Sequence, residues 1–514
     1  MEPPDAFKSP EMPNAPLETA IPKAPAATSS HGRLIEVMDA LARRVEGEPW
    51  GVRELAGELS ESRSTVNRIL TALVDRDFAV EDGVGKYRVG PRLRVLMAAL
   101  SNRSALLSAA RRLLDGLAGV AKQAALLSVY APHVNGYYVL YCGEAQATLA
   151  FRPKIGSVYP LGFGDIGRGF NDFLQRSPDE DSLMLHGSFG GSVPPIAEYE
   201  FPAAVAIVTK RLTQGLIITV SLHNLGGDGG QGAQTSLAMV EGVATELERF
   251  LAQHREDKQS IICSDDSSTI SRLEGLLQIL CAIPNGYVCS SGLASQLQCN
   301  IATARKIVES ASQAKLVCAD GKELFPGARL YQWVALLNNS VCTVAKLCRA
   351  VIEALVKETG ETIAFLSYDP ATKKAHFIEV VQGWRPIQYT LETGVDVPLY
   401  AGGAGKAVLA YLDPEFAGGL TLQKLTSATI VCHEELGADL AAIRERGWSV
   451  GDGERVLGAF GIGVPFFVDG QVAGSISATI PQYRKQDCDV PALVENMKLA
   501  AGHIGRLLSI GTSQ

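Results

Sequence analysis

The pattern of apolar and polar positions repeats along this chain. Apolar residues recur at helical spacing near its start and again past its midpoint, at Leu34, Val37, Met38 and Leu41 and then at Leu273, Leu276, Leu277 and Leu280. After each run comes a segment with the pattern of two short helices, which begins at Gly51 in the first case and at Cys289 in the second. A hairpin-like piece follows each of these segments. The two segments align without a gap. This agreement in order predicts a tandem duplication of one unit.

The first repeated segment predicts a helix-turn-helix. Two apolar faces flank the polar residues Ser60 to Arg63, namely Val52, Leu55, Ala56 and Leu59 and then Val66, Ile69, Leu70 and Leu73. Two short helices joined by a tight polar turn are typical of this motif. The polar side of the second helix carries groups that hydrogen-bond base edges and phosphates, at Arg63, Ser64, Thr65, Asn67 and Arg68.

A wing is predicted after these helices. The Asp82-Gly83 turn lies between two short strand-like pieces, as in a two-stranded hairpin. Lys86 and Arg88 fall on this hairpin, within reach of a phosphate backbone. The segment is therefore interpreted as a DNA-binding unit.

The second copy has drifted at the matching positions. The positions of Arg63, Ser64 and Asn67 are held by Ile301, Ala302 and Arg305, and those of Thr65 and Arg68 by Thr303 and Lys306. Ile and Ala remove polar readout at the helix start, whereas Arg305 and Lys306 can still hold phosphate. We expect the first copy to read sequence and the second to contribute backbone contacts or merely to pack.

Strand-like and helical patterns alternate beyond each wing. AALLSVY and YYVLYC flank an Asn135-Gly136 turn in the first copy, and TIAFLSY and HFIEVV stand at the same place in the second. Strands mixed with helices predict an α+β sensor unit.

A glycine-rich turn follows in the second copy. In PLYAGGAGKAVLAYL the pattern changes from extended to helical at Gly402 to Gly405. Small residues there allow backbone N–H groups to approach an anion such as a carboxylate.

Composition narrows the class of protein. The chain has 514 residues, 46% of them hydrophobic and 20% charged, with a formal charge of −8, which is typical of several globular domains. It has no CxxC pair and no apolar run of membrane-spanning length, so we expect a cytoplasmic protein that does not bind membranes. An acidic total does not exclude DNA binding, because the charge of one surface matters more than the sum.

Catalytic signals are weak. Gly162 to Gly167 fits GxGxxG, but that pattern alone, without a βαβ unit around it, is poor evidence for nucleotide binding. There is no HExxH, no GxSxG and no metal-spaced His/Cys cluster. We expect no catalytic residues, no metal and no cofactor, and hence no enzyme.

The stretch from Gly51 to Leu93 resembles the winged helix-turn-helix of the IclR family of bacterial transcriptional regulators. RSTVNRILTAL matches the recognition helix of that family, and KYRVGPRL matches the exit from its wing. The resemblance covers roughly Gly32 to Phe250 and Ile270 to Ile510. It implies a GAF-like effector-binding domain after each winged helix. Two fused copies are a departure, because family members normally carry one.

The resemblance also implies an effector site in the second copy. Gly403 and Ala404 match the turn that contacts the ligand in the family, and Ser477 and Thr479 match two hydroxyls on a late strand. The site would take a small-molecule effector, a carboxylate or aromatic acid.

Two family positions are not matched. The acidic residue of the family falls on Gly451, beside Asp452, and its frequent cysteine falls on Gly461. Their loss predicts extra space and a ligand bulkier than a two- or three-carbon acid. Tyr400 and Trp384 are candidate stacking walls for an aromatic ring.

The first sensor is predicted to be impaired. Asp165 stands at the position of Gly403, where a carboxylate would repel an anionic ligand. Asn171 to Phe201 is shorter than its counterpart and lacks an equivalent of LGADLAAIRERGWSV and of the strand after it. Thr219 and Ser221 still match the hydroxyl positions. This sensor is interpreted as structural, or as binding something different.

These observations predict an α+β protein of two tandem units. Its divisions are a disordered Pro/Ala-rich arm (1–30), winged helix 1 (31–94), a linker helix with a shortened effector domain (95–252), a linker (253–269), a degenerate winged helix 2 (270–331), and a linker helix with effector domain 2 (332–514). The expected function is a ligand-modulated regulator that binds double-stranded DNA as a homodimer or an intramolecular pseudo-dimer. A regulatory scaffold acting through protein partners, with reduced DNA binding, is the alternative.

Overall fold

The computed structural model describes residues 29–45, 47–144, 151–176, 183–187, 202–223, 233–254, 268–288, 292–338, 344–385 and 391–510. Nearly all of the predicted arm and most of the linker at 253–269 lie outside these residues. Among the helices described, none is both long and apolar enough to cross a membrane.

The first winged helix is present where the pattern predicts it. Ser62 begins the second helix of the motif, because its hydroxyl accepts a hydrogen bond from the Thr65 amide at 3.1 Å. Leu55, Val66 and Leu70 are fully buried. The strands form an antiparallel sheet in the order β1-β3-β2. The elements are α1 (Ser30–Arg43), β1 (Trp50–Gly51), α2 (Val52–Glu58), α3 (Arg63–Val74), β2 (Ala79–Glu81) and β3 (Lys86–Val89).

Two helices and a six-stranded antiparallel sheet follow. The linker is two helices rather than one, because the Ser104 hydroxyl caps a new helix after the first has ended. The strand order is β6-β5-β4-β9-β8-β7. The elements are α4 (Pro91–Arg103), α5 (Ala105–Ala121), β4 (Ala124–Ala131), β5 (Gly136–Gly143), β6 (Val158–Pro160), α6 (Gly164–Leu174), β7 (Leu183–Gly187), β8 (Ala204–Arg211), β9 (Ile217–His223) and α7 (Ala233–Gln253).

The second winged helix has the same element order as the first, and its sheet runs β10-β12-β11. Asn300 caps its second helix by accepting from the Thr303 amide at 2.8 Å. The elements are α8 (Thr269–Ala282), β10 (Tyr287–Val288), α9 (Gly292–Gln296), α10 (Ile301–Gln313), β11 (Val317–Asp320) and β12 (Glu323–Pro326).

The last domain is a five-stranded antiparallel sheet in the order β14-β13-β17-β16-β15. Helices cover both of its faces. The elements are α11 (Ala328–Asn338), α12 (Val344–Thr359), β13 (Thr362–Asp369), β14 (Lys374–Val381), α13 (Gly403–Leu409), α14 (Pro414–Gly418), α15 (His433–Arg446), β15 (Ser449–Asp452), β16 (Ala459–Val468), β17 (Gln471–Pro481) and α16 (Val490–Leu508).

The two halves agree in unusual backbone positions as well as in element order. Left-handed residues recur at matching places: Ser60 and Gln298 in the helix-turn-helix turns, Asp77 and Lys315 before the wings, Asn135 and Lys373 in the first hairpins, and Gly164 and Gly402 before the short helices. Non-glycine residues rarely adopt this conformation.

One sequence-based expectation about the first sheet is wrong. The strand order β5-β4-β9-β8-β7 parallels β14-β13-β17-β16-β15, so β7 occupies the edge position that β15 holds in the second sheet. The strand is therefore present. Residues 175–182 alone join α6 to β7, too few for counterparts of α14 and α15, so the helices are the missing part.

Both winged helices, the linker helices and the first sheet share one hydrophobic core, which runs from Leu34 to Val334 and beyond. Two buried arginines cross it reciprocally. Arg92 of α4 donates to Glu274 of α8 at 2.7 Å, and Arg329 of α11 donates to Glu36 of α1 at 2.6 Å. Each half thus supplies the acid that pairs with the arginine of the other half.

Each sheet domain contacts the helix that follows the wing of the opposite half, α11 or α4. In the first, the Tyr138 hydroxyl donates to the Ala328 carbonyl at 2.6 Å, and His133 lies 3.1 Å from the Gln332 side-chain oxygen. In the second, the end of α16 meets α4, because Arg92 also donates to the Leu507 carbonyl at 3.0 Å.

A buried polar cluster lies at the first of these contacts. Burial, and then the charge of Arg329, lower the pKa of His133 to about 4, so the ring stays neutral in the folded protein. Burial alone would raise the pKa of Asp39, but the charges of Arg43 and Arg329 outweigh it and lower that pKa to about 2. Asp39 also accepts from the Trp333 indole at 2.8 Å.

We predict that His133 makes the protein sensitive to mild acid. Its ordinary pKa is 6.5 and its folded pKa is about 4, so between these values the unfolded chain binds a proton that the folded chain does not. The free energy of unfolding should fall as pH drops through this window, by up to ~3 kcal/mol. Urea unfolding at pH 7.5 and 4.5 measures it. His133→Gln should reduce the drop and His254→Gln, at an exposed position, should not; equal drops in all three proteins would refute the assignment.

Candidate DNA interface and effector site

The recognition helix α3 presents its predicted side chains to solvent. Arg63, Ser64, Asn67 and Arg68 are exposed, and Thr65 is half-buried because its hydroxyl lies 2.8 Å from that of Ser62. Within the described part of the chain, neither Arg63 nor Arg68 pairs with a carboxylate. This helix surface is therefore free to enter a major groove.

The two cationic side chains of the wing already have partners within the protein. Arg88 donates to Asp82 and, at 2.6 Å, to the Gly47 carbonyl, while Lys86 lies 3.8 Å from Glu48. Arg88 can contact a phosphate only by giving up these partners. Its role in DNA binding stays a prediction, in which a phosphate would replace these local partners.

The second recognition helix, α10, exposes a different surface. Ile301 is 59% exposed, and Ala302 beside it is exposed as well. Arg305 and Lys306 follow one turn later and also face solvent. The helix keeps cations for phosphate contacts but has an apolar start.

The predicted effector turn packs tightly against the sheet. A Cβ at Gly451 would lie 2.4 Å from the Gly402 Cα, and one at Gly403 would lie 2.7 Å from the Gly461 carbonyl oxygen. The Ser449 hydroxyl also donates to the Gly403 carbonyl. The expectation that Gly451 opens space is therefore wrong, because the backbone of the turn fills it. At Gly461 the nearest atom to an added Cβ is 3.6 Å away, which leaves room for a methyl group.

The two predicted hydroxyls lie on the face of the sheet that meets α13. Ser475 donates to the Ala404 carbonyl at 2.9 Å, so residues at alternate positions of β17 point the same way. Ser477 and Thr479 follow this alternation. Neither hydroxyl has a hydrogen-bond partner among the residues that the structure describes.

Asp452 does not share this face. Gly451 points to α13, so the next residue of β15 points to the opposite side. The Asp452 carboxylate accepts there from Gln482 at 2.6 Å and from Lys485 at 2.7 Å, and these bonds lower its pKa. The predicted contact of Asp452 with an effector at the Gly403 turn is therefore wrong, because the position that faces the turn is held by Gly451, one residue earlier.

The two predicted aromatic contacts of the ligand, Tyr400 and Trp384, do not lie at one site. The Tyr400 hydroxyl is occupied by the backbone of Gln423, donating to its carbonyl at 3.2 Å and accepting from its amide at 3.1 Å. Trp384 is 66% exposed and lies against Gly360, after β14 at the far edge of the sheet from β15. Only Tyr400 remains near the turn.

An ionic cluster beneath the turn escaped sequence reasoning. Lys406 of α13 is 1% exposed, and its ammonium group lies 2.6 Å from both Asp439 and Glu454. Glu454 also accepts from the Gly402 amide at 2.9 Å. The lysine of GGAGKA was the available signal, but its partners lie far along the chain. Among the described residues no three His, Cys, Asp or Glu side chains form a possible metal site.

Two segments of the chain match known protein families. Residues 31–83 match the IclR helix-turn-helix domain, and residues 338–506 match the C-terminal domain of bacterial IclR transcriptional regulators. These two segments are therefore similar to IclR-type domains. The two matches leave out residues 84–337, which contain the first sheet domain and the second winged helix.

Parts of the chain are also similar to curated proteins and to solved structures. The chain is 36% identical over 112 residues to the transcriptional repressor IclR of Escherichia coli K12, covering 21% of this chain and 41% of that protein. It is 28% identical over 168 residues to the regulator KipR of Bacillus subtilis, covering 32% and 66%. A crystal structure of an IclR regulator from Silicibacter sp. TM1040 covers 43% of this chain and 88% of its own, with 20% identity and a TM-score of 0.37. The chain spans less than half the length of the E. coli relative.

The first sheet domain differs from the IclR-type domain in its polar groups. Asp165 holds α6 to β8 by accepting from the Ala204 amide at 3.0 Å. Thr219 and Ser221 are paired within the domain, with Thr209 at 3.0 Å and with His223 at 2.9 Å. The hydroxyls that match the effector positions are therefore already occupied.

We predict different costs for a methyl group at the two glycines of the IclR-type site. Gly451→Ala should lower the free energy of unfolding by about 1–3 kcal/mol, because the added Cβ meets backbone that cannot move cheaply. Gly461→Ala should be tolerated because its Cβ meets only ordinary contacts. Thermal melting of the full chain separates them. Equal melting temperatures would mean that the turn does not pack on β15.

Proposed function

We propose that this chain is a transcriptional regulator in which two IclR-type units pair within one molecule. The first unit reads an operator, and the second effector domain senses a small organic acid. The observation that carries this proposal is the unpaired, exposed surface of α3, fixed on a core shared by both halves.

Support for DNA binding comes from the chemistry of α3. Two free guanidinium groups, Arg63 and Arg68, flank the Asn67 amide on one exposed helix face. Arg and Asn are the side chains that pair bidentately with guanine and adenine edges. The start of α10 offers Ile301 instead, which suits the proposal that the second unit contributes only backbone contacts.

Support for an intramolecular pair comes from the reciprocal arginines. A two-fold interface uses one surface patch twice, so that each partner gives and receives the same contact. Arg92 with Glu274 and Arg329 with Glu36 follow this rule inside one chain. We propose that tandem duplication of one ancestral unit produced this arrangement, and that one chain acts as a pseudo-dimer.

Support for effector binding is confined to the second domain. Ser477 and Thr479 face α13 with free hydroxyls, whereas Thr219 and Ser221 of the first domain are paired internally. We therefore assign sensing to the second domain and a structural role to the first. A ligand would act by binding one arrangement of the winged helices better than another.

We predict unequal effects of the two recognition helices on operator affinity. Arg63→Ala or Asn67→Ala should weaken binding to the upstream DNA of the gene by about 1–3 kcal/mol each, because each removes a base contact. Lys306→Ala, the control, should cost less and should act equally on unrelated DNA. Fluorescence anisotropy at several salt concentrations measures both the affinity and the number of phosphate contacts.

Two outcomes would count against the proposal. Equal losses for Arg63→Ala and Lys306→Ala would remove the asymmetry between the units. Binding that ignores DNA sequence would favour a regulatory scaffold acting through protein partners. Light scattering of the purified chain and of its DNA complex would establish whether one chain or two bind each operator.

A further inference from the structure

Arg455 is a half-buried cation without a counter-ion. It follows β15 and lies beside the predicted effector turn, with its side chain packed on Gly402. No hydrogen bond or ion pair joins its guanidinium to any residue in the described part of the chain. Its neighbour is instead the ring of Phe377, whose centroid is 5.2 Å from the guanidinium carbon.

The acids nearest to it in sequence are already occupied. Asp452 pairs with Lys485 at 2.7 Å on the other face of the sheet, and Glu454 pairs with Lys406 at 2.6 Å. The second oxygen of Glu454 accepts from the Gly402 amide. The fold therefore supplies carboxylates to other cations around this site and leaves Arg455 without one.

Two other arginines of this domain that lie over aromatic rings are paired with carboxylates. Arg446 lies over Trp448 and is 3.8 Å from Asp439, and Arg385 lies over Trp384 and is 3.0 Å from Glu361. Burial lowers the pKa of Arg455, which means that its charge is poorly solvated in the ligand-free protein. An unpaired buried charge carries a desolvation cost that an incoming anion would repay.

The register of the strands places the ring under Arg455 on the same face of the sheet as the predicted hydroxyls. Phe377 of β14 lies opposite Leu366 of β13, which lies opposite Ser475 of β17. Ser477 is the next residue on the same face. A ligand between Arg455 and β17 would thus meet a cation, a free hydroxyl and apolar side chains of this face, including Phe377 and Leu366.

We infer that Arg455 binds the carboxylate of the effector and that this effector is a small carboxylate with an apolar body. The inference rests on the effector binding proposed above. Arg455 forms charge-assisted hydrogen bonds to the carboxylate, as guanidinium groups do. Ser477 is placed to bond a polar group of the ligand, and the apolar face holds its body.

The test measures binding of benzoate and hexanoate to the full chain by calorimetry, with benzamide as the uncharged control. Wild type should bind at least one of the acids and should not bind benzamide. Arg455→Met should weaken binding of that acid by at least about tenfold, because a charged hydrogen bond is lost. Arg349→Met is the matched control and should bind as wild type. Arg349 is exposed on α12 and pairs with Glu353 and Glu379.

Melting without ligand separates binding from packing. Arg455→Met should melt at or above the wild-type temperature, because an uncompensated cation is removed; a clearly lower temperature would assign Arg455 to packing and overturn the inference. Unchanged acid binding by Arg455→Met would overturn it while leaving effector sensing intact. A wild type that binds neither acid would overturn it too, whereas the operator affinity of Arg63→Ala tests the DNA-binding function separately.

Discussion

The reciprocal burial of Arg92 and Arg329 is the constraint on which the rest of this structure depends. A buried guanidinium is costly unless it is paired, and here each one finds its acid only on the other half of the chain. The halves cannot separate without exposing their shared core and leaving these charges unpaired. The positions of α3 and α10 relative to each other follow from that pairing.

The same contacts join the sheet domains to the other half of the chain. Arg92 pairs with Glu274 and also donates to the Leu507 carbonyl near the end of α16, so the second sheet domain rests on α4 of the first half. His503 of α16 lies 2.7 Å from Asp77 at the entry to that wing. Coupling between two sites needs a physical element that both can bias. In the proposed regulator, α16 would be such an element, because it joins the second sheet domain to the first winged helix.

Five strands of the first sheet follow the same order as the second sheet. The two domains differ in whether their polar side chains have partners within the domain. The first satisfies its groups internally, as Asp165 holds a strand amide and Ser221 holds His223. The second leaves Ser477, Thr479 and Arg455 without protein partners on one face. Buried polar groups normally find partners, and these unpaired groups are the basis for the proposed effector site.

The sequence by itself determined the helix-turn-helix, the wing, the repeated order and the α+β class, because these depend on local periodicity and turn chemistry. The family resemblance also selected Ser477 and Thr479 on a late strand, and the structure places both on the face that meets α13. The sequence misjudged Gly451, Asp452 and the supposedly missing strand, because packing distances and strand pairing depend on residues far away in the chain. Whether a glycine marks a cavity or a backbone contact, and which arginine lacks an acid, were decided only by the tertiary structure, which brings distant strands and helices within bonding distance.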